Sequence, residues 1–215
     1  MNIKSFDAVV FDLDGTIVDS EKYFFEAYKK AFLFYGFEIG DKALEFRSLD
    51  RELATKLCNS ITSNTISYSI VRAKRNEILN LLIKETPIQL KKGIKEVLTW
   101  LKKRYQLFVI SSSNLDRIKD ILKGVGLLDL IDEVFSANEV KKGKPYPDIY
   151  NYFCKKKNLQ PSDIVVVEDS PNGVKSAFDA GTNVIFVKDL TEPTSTIKEQ
   201  CLACLSDIRL LMNII

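Results

Sequence analysis

Ala8-Val9-Val10-Phe11-Asp12-Leu13-Asp14-Gly15-Thr16 is the stretch on which the fold turns. Its apolar start, with no polar interruption, reads as a strand buried on both faces. The run stops at two carboxylates spaced two apart, which project to the same side of an extended chain. Gly15 then permits a sharp turn or a close ligand approach. Apolar runs of the same kind recur at residues 107–110, 133–135, 164–167 and 184–187. Helical periodicity separates them: Ile94, Val97, Leu98 and Leu101 within 93–103, Ile118, Ile121 and Leu122 within 115–123, then residues 148–157 and 172–180. This alternation predicts an α/β fold, a doubly wound parallel sheet with right-handed crossovers.

The rhythm breaks between about residues 20 and 87, where no convincing strand is found. Phe24, Tyr28, Ala31, Phe32 and Tyr35 form one apolar stripe, which Gly36 can end. Leu49, Leu53 and Leu57 form a second, and Ile70, Val71, Ile78, Leu81 and Leu82 a third. Most of these stripe residues are expected in a core. The predicted division is an α/β core of residues 1–16 and 88–215 with an all-helical insertion, 17–87, above the carboxyl end of the first strand. Ligands bind at that end in such sheets.

Composition bounds the chemistry. The 215 residues include no histidine, carry a formal net charge of +2, and are 46% hydrophobic and 28% charged. Imidazole-based nucleophilic catalysis and most enzymatic zinc sites are thereby excluded. No run of about 18 apolar residues marks a membrane span, and the opening residues, with an early acid, do not resemble a signal peptide. Cys58, Cys154, Cys201 and Cys204 are few and irregularly spaced, so reduced thiols in a cytoplasmic protein are expected. The Cys201-Leu202-Ala203-Cys204 pair has no further ligands for zinc and no thioredoxin-like surroundings. Basic clusters at 102–104, 141–142 and 155–157 are balanced by acids elsewhere, and no nucleic-acid motif accompanies them.

Four polar clusters fall at strand ends or just beyond. Asp12 and Asp14 repel each other and require a proton, a lysine or a metal in compensation. Ser111-Ser112-Ser113-Asn114 offers hydroxyls and free N–H groups before a helix, which suits an anion as well as an ordinary N-cap. Lys144, fixed by a following Pro145 in the first turn of the next helix, supplies a compact positive charge. Glu168-Asp169 ends a buried strand, where two acids are costly unless paired or metal-bound. Four carboxyl groups at one sheet edge make an oxygen-rich site suited to Mg²⁺.

Asp12-Leu13-Asp14-Gly15-Thr16, Ser111, Lys144-Pro145 and Glu168-Asp169-Ser170 resemble the four ordered motifs of the haloacid dehalogenase-like hydrolases. The stretch from Glu168 to Ala177 and Ala180-Gly181 resemble the branch with a helical cap, which includes beta-phosphoglucomutase and phosphoglycolate phosphatase. That resemblance implies a Mg²⁺-dependent phosphatase acting on a small phosphorylated metabolite. Asp12 would be the nucleophile and Asp14 the acid and then base, its pKa brought near neutrality by crowding acids. Asp12, the Asp14 carbonyl, Asp169 and Glu168 would hold the metal; Ser111, Ser112 and Lys144 would bind the phosphoryl group. Arg47, in a cap stretch where relatives place Gly-Arg-Ser, or Arg51, would contact a second anionic group of the substrate. The resemblance has three other branches. A dehalogenase lacks the second aspartate. A phosphonate hydrolase needs a cap lysine, for which Lys22 and Lys29 are the candidates. A sugar-phosphate mutase carries a histidine where this chain has Phe24. A nucleotide binder is disfavoured because no GxxxxGK[ST] occurs and Asp129 interrupts the glycine pattern at Gly124-Val125-Gly126. A catalytically inactive binding protein is the last alternative. The expected form is a monomer, without nucleic-acid or membrane partners.

Overall fold

The computed structural model describes residues 6–215; the expectation about the extreme N-terminus therefore lies outside the described residues. Six strands form one parallel sheet: β1 (Ala8–Phe11), β2 (Gln106–Ser111), β3 (Glu133–Ser136), β4 (Ile164–Glu168), β5 (Asn183–Val187) and β6 (Ala203–Leu205). Their order is β3-β2-β1-β4-β5-β6. β1 is thus flanked by β2 and β4, with Phe11 opposite Val109 on one side and Val167 on the other. From β1 the chain builds outward through β2 and β3, then crosses back to β4 on the other side of β1 and continues to β5 and β6, so the strand-order reversal lies between β1 and β4.

Strand periodicity sorts the core into two. Val9, Phe11, Leu107, Val109, Val165, Val167 and Ile185 face α4 (Ile94–Leu101) and α5 (Leu115–Gly124). Ala8, Val10, Phe108, Ile110, Ile164, Val166 and Phe186 face α6 (Asp148–Lys157), α7 (Pro171–Asp179) and α8 (Ser195–Gln200). Both faces are covered, which is why the runs are continuous rather than alternating. β6 was not expected: it is short and its first two residues are only half-buried. Cys204 in β6 and Cys201 just before it are free, half-buried thiols, while Cys58 and Cys154 are buried.

Between β1 and α4 lie α1 (Glu21–Phe34), a 3₁₀ segment (Gly40–Phe46), α2 (Arg51–Thr62) and α3 (Tyr68–Glu85). They share their own cluster of Tyr28, Ala31, Phe32, Phe46, Ala54, Cys58, Tyr68 and Val71. The two connecting segments run side by side: Asp19 N donates to Gln89 O at 2.8 Å and Lys91 N to Ile17 O at 2.9 Å. The division at 16/17 and 87/88 remains a proposal; Ile17 and Val18 pack with the sheet's core. The third stripe needs correcting. Ile70 and Leu81 are 49% and 55% exposed, because α3 buries Tyr68, Val71, Arg75 and Leu79 instead. Pro145 also differs from expectation: α6 starts at Asp148 behind Pro147, and Lys144-Pro145 is a cis peptide in the preceding loop. Among the described residues no helix is long and apolar enough to cross a membrane.

Candidate active site

The sheet order brings three of the sequence clusters together. Asp12 directly follows β1, Ser111 ends β2 and Glu168 ends β4, on three adjacent strands. Asp12 N donates to Val167 O at 3.0 Å, extending the β1–β4 ladder by one rung and fixing the backbone under its carboxylate.

Lys144 enters from the loop before α6 and is completely buried. Its ammonium donates to Asp12 Oδ1 and to Glu168 Oε1, each at 2.6 Å. The other Glu168 oxygen accepts from Asp169 N (3.0 Å), Ser170 N (3.2 Å) and Ser170 Oγ (3.1 Å). Glu168 therefore has both oxygens occupied, and what it visibly does is hold Lys144 against Asp12. Gly173 is needed for this: a Cβ there would lie 1.8 Å from Glu168 Oε1. Burial and the nearby Glu168 and Asp169 carboxylates push the Asp12 carboxyl up, against the pull of Lys144. Burial alone would discharge Lys144, but Asp12 and Glu168 hold its pKa above the ordinary lysine value.

Asp169 is the third acid of this floor. One oxygen accepts from Thr16 Oγ1 at 3.0 Å; the other is paired with the Arg47 guanidinium. Gly15, at φ +89°, passes so close that a Cβ would stand 2.3 Å from Asp169 Oδ2. Asp12, Glu168 and Asp169 each offer an oxygen within 4.8 Å of the others. The Asp14 carboxylate is not part of that group.

Asp14 turns toward α5 instead. Arg117 grips it with two bonds of 2.9 Å, Ser20 donates at 2.6 Å and Ser113 at 3.3 Å. Burial pushes this carboxyl up, but those donors outweigh it and hold it below the ordinary carboxylate range. The expectation that neighbouring acids bring Asp14 near neutrality is thus overturned, because a bidentate arginine rather than another carboxylate faces it. Ser113 belongs to the hydroxyl cluster that the sequence offered for an anion, whereas Arg117 had no signal in the sequence beyond lying just after β2.

Ser111 is buried and its Oγ accepts from Ser113 N at 3.1 Å, while Ser112 is exposed. Asn114 caps α5, its side chain accepting from Arg117 N at 2.8 Å. The cluster is therefore both an N-cap and a wall of the cavity described next.

A cavity of about 760 Å³ opens above these groups. Asp12, Asp14, Ser111, Ser112 and Lys144 line its floor side, and Phe24, Arg47, Asp50, Arg51, Arg72 and Arg75 come from the helical insertion. Asp50 docks the insertion: its N–H donates to Lys144 O at 2.6 Å, and its carboxylate accepts from Gly143 N at 3.0 Å. Arg47 is buried rather than solvated. Besides Asp169 it lies 3.3 Å from Glu21 and 3.6 Å from Asp189, and its carbonyl accepts from Asn172 Nδ2 at 2.8 Å. Burial pushes the Glu21 carboxyl up to about 8. Glu21 and Asp189 are isolated acids in the sequence, and only the fold reveals them as partners of Arg47. Arg51 is exposed at the start of α2.

The comparisons agree with this geometry. The model of the haloacid dehalogenase-like hydrolase family matches residues 9–187. A phosphorylated carbohydrates phosphatase from Thermotoga maritima is 30% identical over 187 residues, covering 84% of each chain. The beta-phosphoglucomutase of Bacillus subtilis is 26% identical over 181 residues, covering 81% of this chain and 80% of its own. The crystal structure of a haloacid dehalogenase-like protein from Agrobacterium tumefaciens superposes with a TM-score of 0.80 at 25% identity, covering 98% of this chain and 97% of that one. With its motifs on adjacent strand ends and the family model spanning nearly all of it, this chain belongs to the haloacid dehalogenase-like hydrolase family.

Proposed function

We propose that the chain is a Mg²⁺-dependent phosphatase that hydrolyses a small phosphorylated metabolite, a sugar phosphate or similar monoester, through an aspartyl-phosphate on Asp12. The observation that carries this reading is the buried Lys144 ammonium, bonded at 2.6 Å to Asp12 at the floor of the cavity. Its charge opposes the burial and the neighbouring carboxylates that raise the Asp12 pKa, and so favours the ionised form that a nucleophile needs.

The donor set fits Mg²⁺. Asp12, Asp169 and Glu168 offer hard carboxylate oxygens in one cluster, with no sulfur or imidazole among them. Asp12 and Asp169, with the Asp14 carbonyl, would hold the ion, and Glu168 would bind it directly or through water. When bound, the ion supplies positive charge that offsets repulsion between an anionic nucleophile and an anionic ester.

The chain's own residues do the rest. Asp12 attacks phosphorus, the ester P–O bond breaks, and the leaving alkoxide takes a proton from Asp14. Asp14 then takes a proton from water as it attacks phosphorus, which breaks the Asp12–phosphorus bond and releases inorganic phosphate. Held low by Arg117, Asp14 starts ionised, so before the donating step Arg117 loosens its grip and Asp14 takes up a proton from solvent, which it then gives to the alkoxide. Ser111, Ser112 N–H and Lys144 hold the phosphoryl oxygens. Phe24 has no proton to move, which separates this reading from the mutase. A monomer in a reducing cytoplasm is part of the same proposal.

The test is phosphate release from an aryl phosphate. It is expected to require Mg²⁺, to stop with EDTA and to vanish in Asp12→Asn. Turnover that survives Asp12→Asn overturns the reading.

A further inference from the structure

Three cationic side chains are buried among the described residues: Arg47, Lys144 and Arg75. The first two face carboxylates, Lys144 those of Asp12 and Glu168 and Arg47 those of Asp169, Glu21 and Asp189, although Arg47 Nε, like Arg75 Nε, has no hydrogen-bond partner. Arg75 is different. It is 8% exposed, its Nε has no hydrogen-bond partner, and no carboxylate pairs with it among the described residues. Its neighbours are rings: the guanidinium carbon lies 4.8 Å from the Tyr28 centroid and 5.2 Å from that of Phe24. Ring faces offset part of the cost of burying a cation but leave its N–H groups without acceptors.

Position gives this a meaning. Arg75 lines the same cavity as Asp12 and Lys144, from the side of the insertion. The Phe24 ring that it covers is also covered by Arg117, at 5.1 Å, and Arg117 holds Asp14. Arg75 and the Arg117 that grips Asp14 thus share one ring. Arg72, three residues earlier on α3, lines the cavity too and has no ion-pair partner among the described residues. The insertion therefore presents unneutralised positive charge to the space above the nucleophile.

We infer that Arg75 is the receptor for a second, non-transferring oxyanion of the substrate, so that the enzyme selects short phosphomonoesters carrying a carboxylate or a second phosphate over esters with a neutral tail. Of the two sequence candidates for this task, Arg47 is already paired with Asp169 and flanked by Glu21 and Asp189, and Arg51 is exposed at the start of α2. A guanidinium with free N–H groups, packed against two rings, binds a planar carboxylate or a phosphate by paired hydrogen bonds. A neutral hydroxyl tail leaves the charge uncompensated. The inference rests on the phosphatase reading for its substrate, but binding tests it separately.

The experiment compares ω-carboxyalkyl phosphates, alkane bisphosphates and ω-hydroxyalkyl phosphates of equal length, in the Mg²⁺-supplied full chain. The expected result is a kcat/KM at least tenfold higher for one or both anionic series, with the better series identifying carboxylate or phosphate as the second group. That ratio falls toward one in Arg75→Gln and recovers in part in Arg75→Lys. The corresponding non-hydrolysable phosphonates, titrated calorimetrically, are expected to show the same preference in Kd and the same loss. Equal kcat/KM for charged and neutral tails in the wild type overturns the proposal. So does a preference that survives Arg75→Gln in a variant whose melting curve shows it folded. If no ester is turned over, the phosphatase reading fails, and the phosphonate titrations alone decide on Arg75.

Discussion

Replacing Lys144 by methionine keeps most of the apolar stem and removes only the charge. Lys144 is wholly buried and bonds two carboxylates, Asp12 and Glu168, at 2.6 Å each. Without it, two buried acids face each other with no cation between them. Removing one partner of a buried ion pair costs about 3–5 kcal/mol. For a chain of this size each kcal/mol moves Tm by roughly 2–4 °C, so a fall of about 6–20 °C is expected. Thermal melts in EDTA, followed by circular dichroism, measure it. The pH dependence has a definite sign. Asp12 is already pushed above its ordinary 3.8 by burial, and losing Lys144 pushes it further. A carboxyl raised in the fold binds its proton preferentially there, so the variant's deficit is small below that value and grows as pH rises. A loss under about 1 kcal/mol at pH 7, or a deficit that shrinks as pH rises, refutes the buried-bridge reasoning.

Other perturbations read other parts of the site. Gly173→Ala places a methyl group on the Glu168 carboxylate, 1.8 Å from Oε1 in the present geometry, and is expected to lower stability by about 1–3 kcal/mol in urea unfolding. Glu21→Gln removes a carboxyl that burial pushes up to about 8 from 4.5; relative to wild type, the variant should gain stability as pH rises between those values, measured as urea midpoints. Arg117→Gln frees Asp14 from the group that holds it low, so any limb of the kcat–pH profile that reports Asp14 moves to higher pH.

Much of the fold was legible because its strands announce themselves. A strand covered on both faces has only apolar positions, and β1, β2, β4 and β5 show it. β6 did not, because a short edge strand with half-buried residues leaves no run to read. The α3 stripe was misread for a reason tied to function. Position 75 belongs to the buried face but holds an arginine, so periodicity counted from apolar residues slid toward the exposed Ile70 and Leu81. In the site, Asp12, Lys144, Glu168 and Asp169 were legible because each sits at a strand end or in a short motif. Arg117, Glu21 and Asp189 were not. Each is an ordinary charged residue in sequence and acquires its partner only when separate elements pack together.

The central claim is covalent: the phosphoryl group rests on Asp12. A single turnover with a ³²P-labelled ester, quenched in acid within milliseconds and digested, measures this directly. The expected result is label on the peptide containing Asp12, removable by hydroxylamine, and absent from Asp12→Asn. Full phosphate release with no labelled peptide at any quench time, or label on a peptide without Asp12, contradicts it.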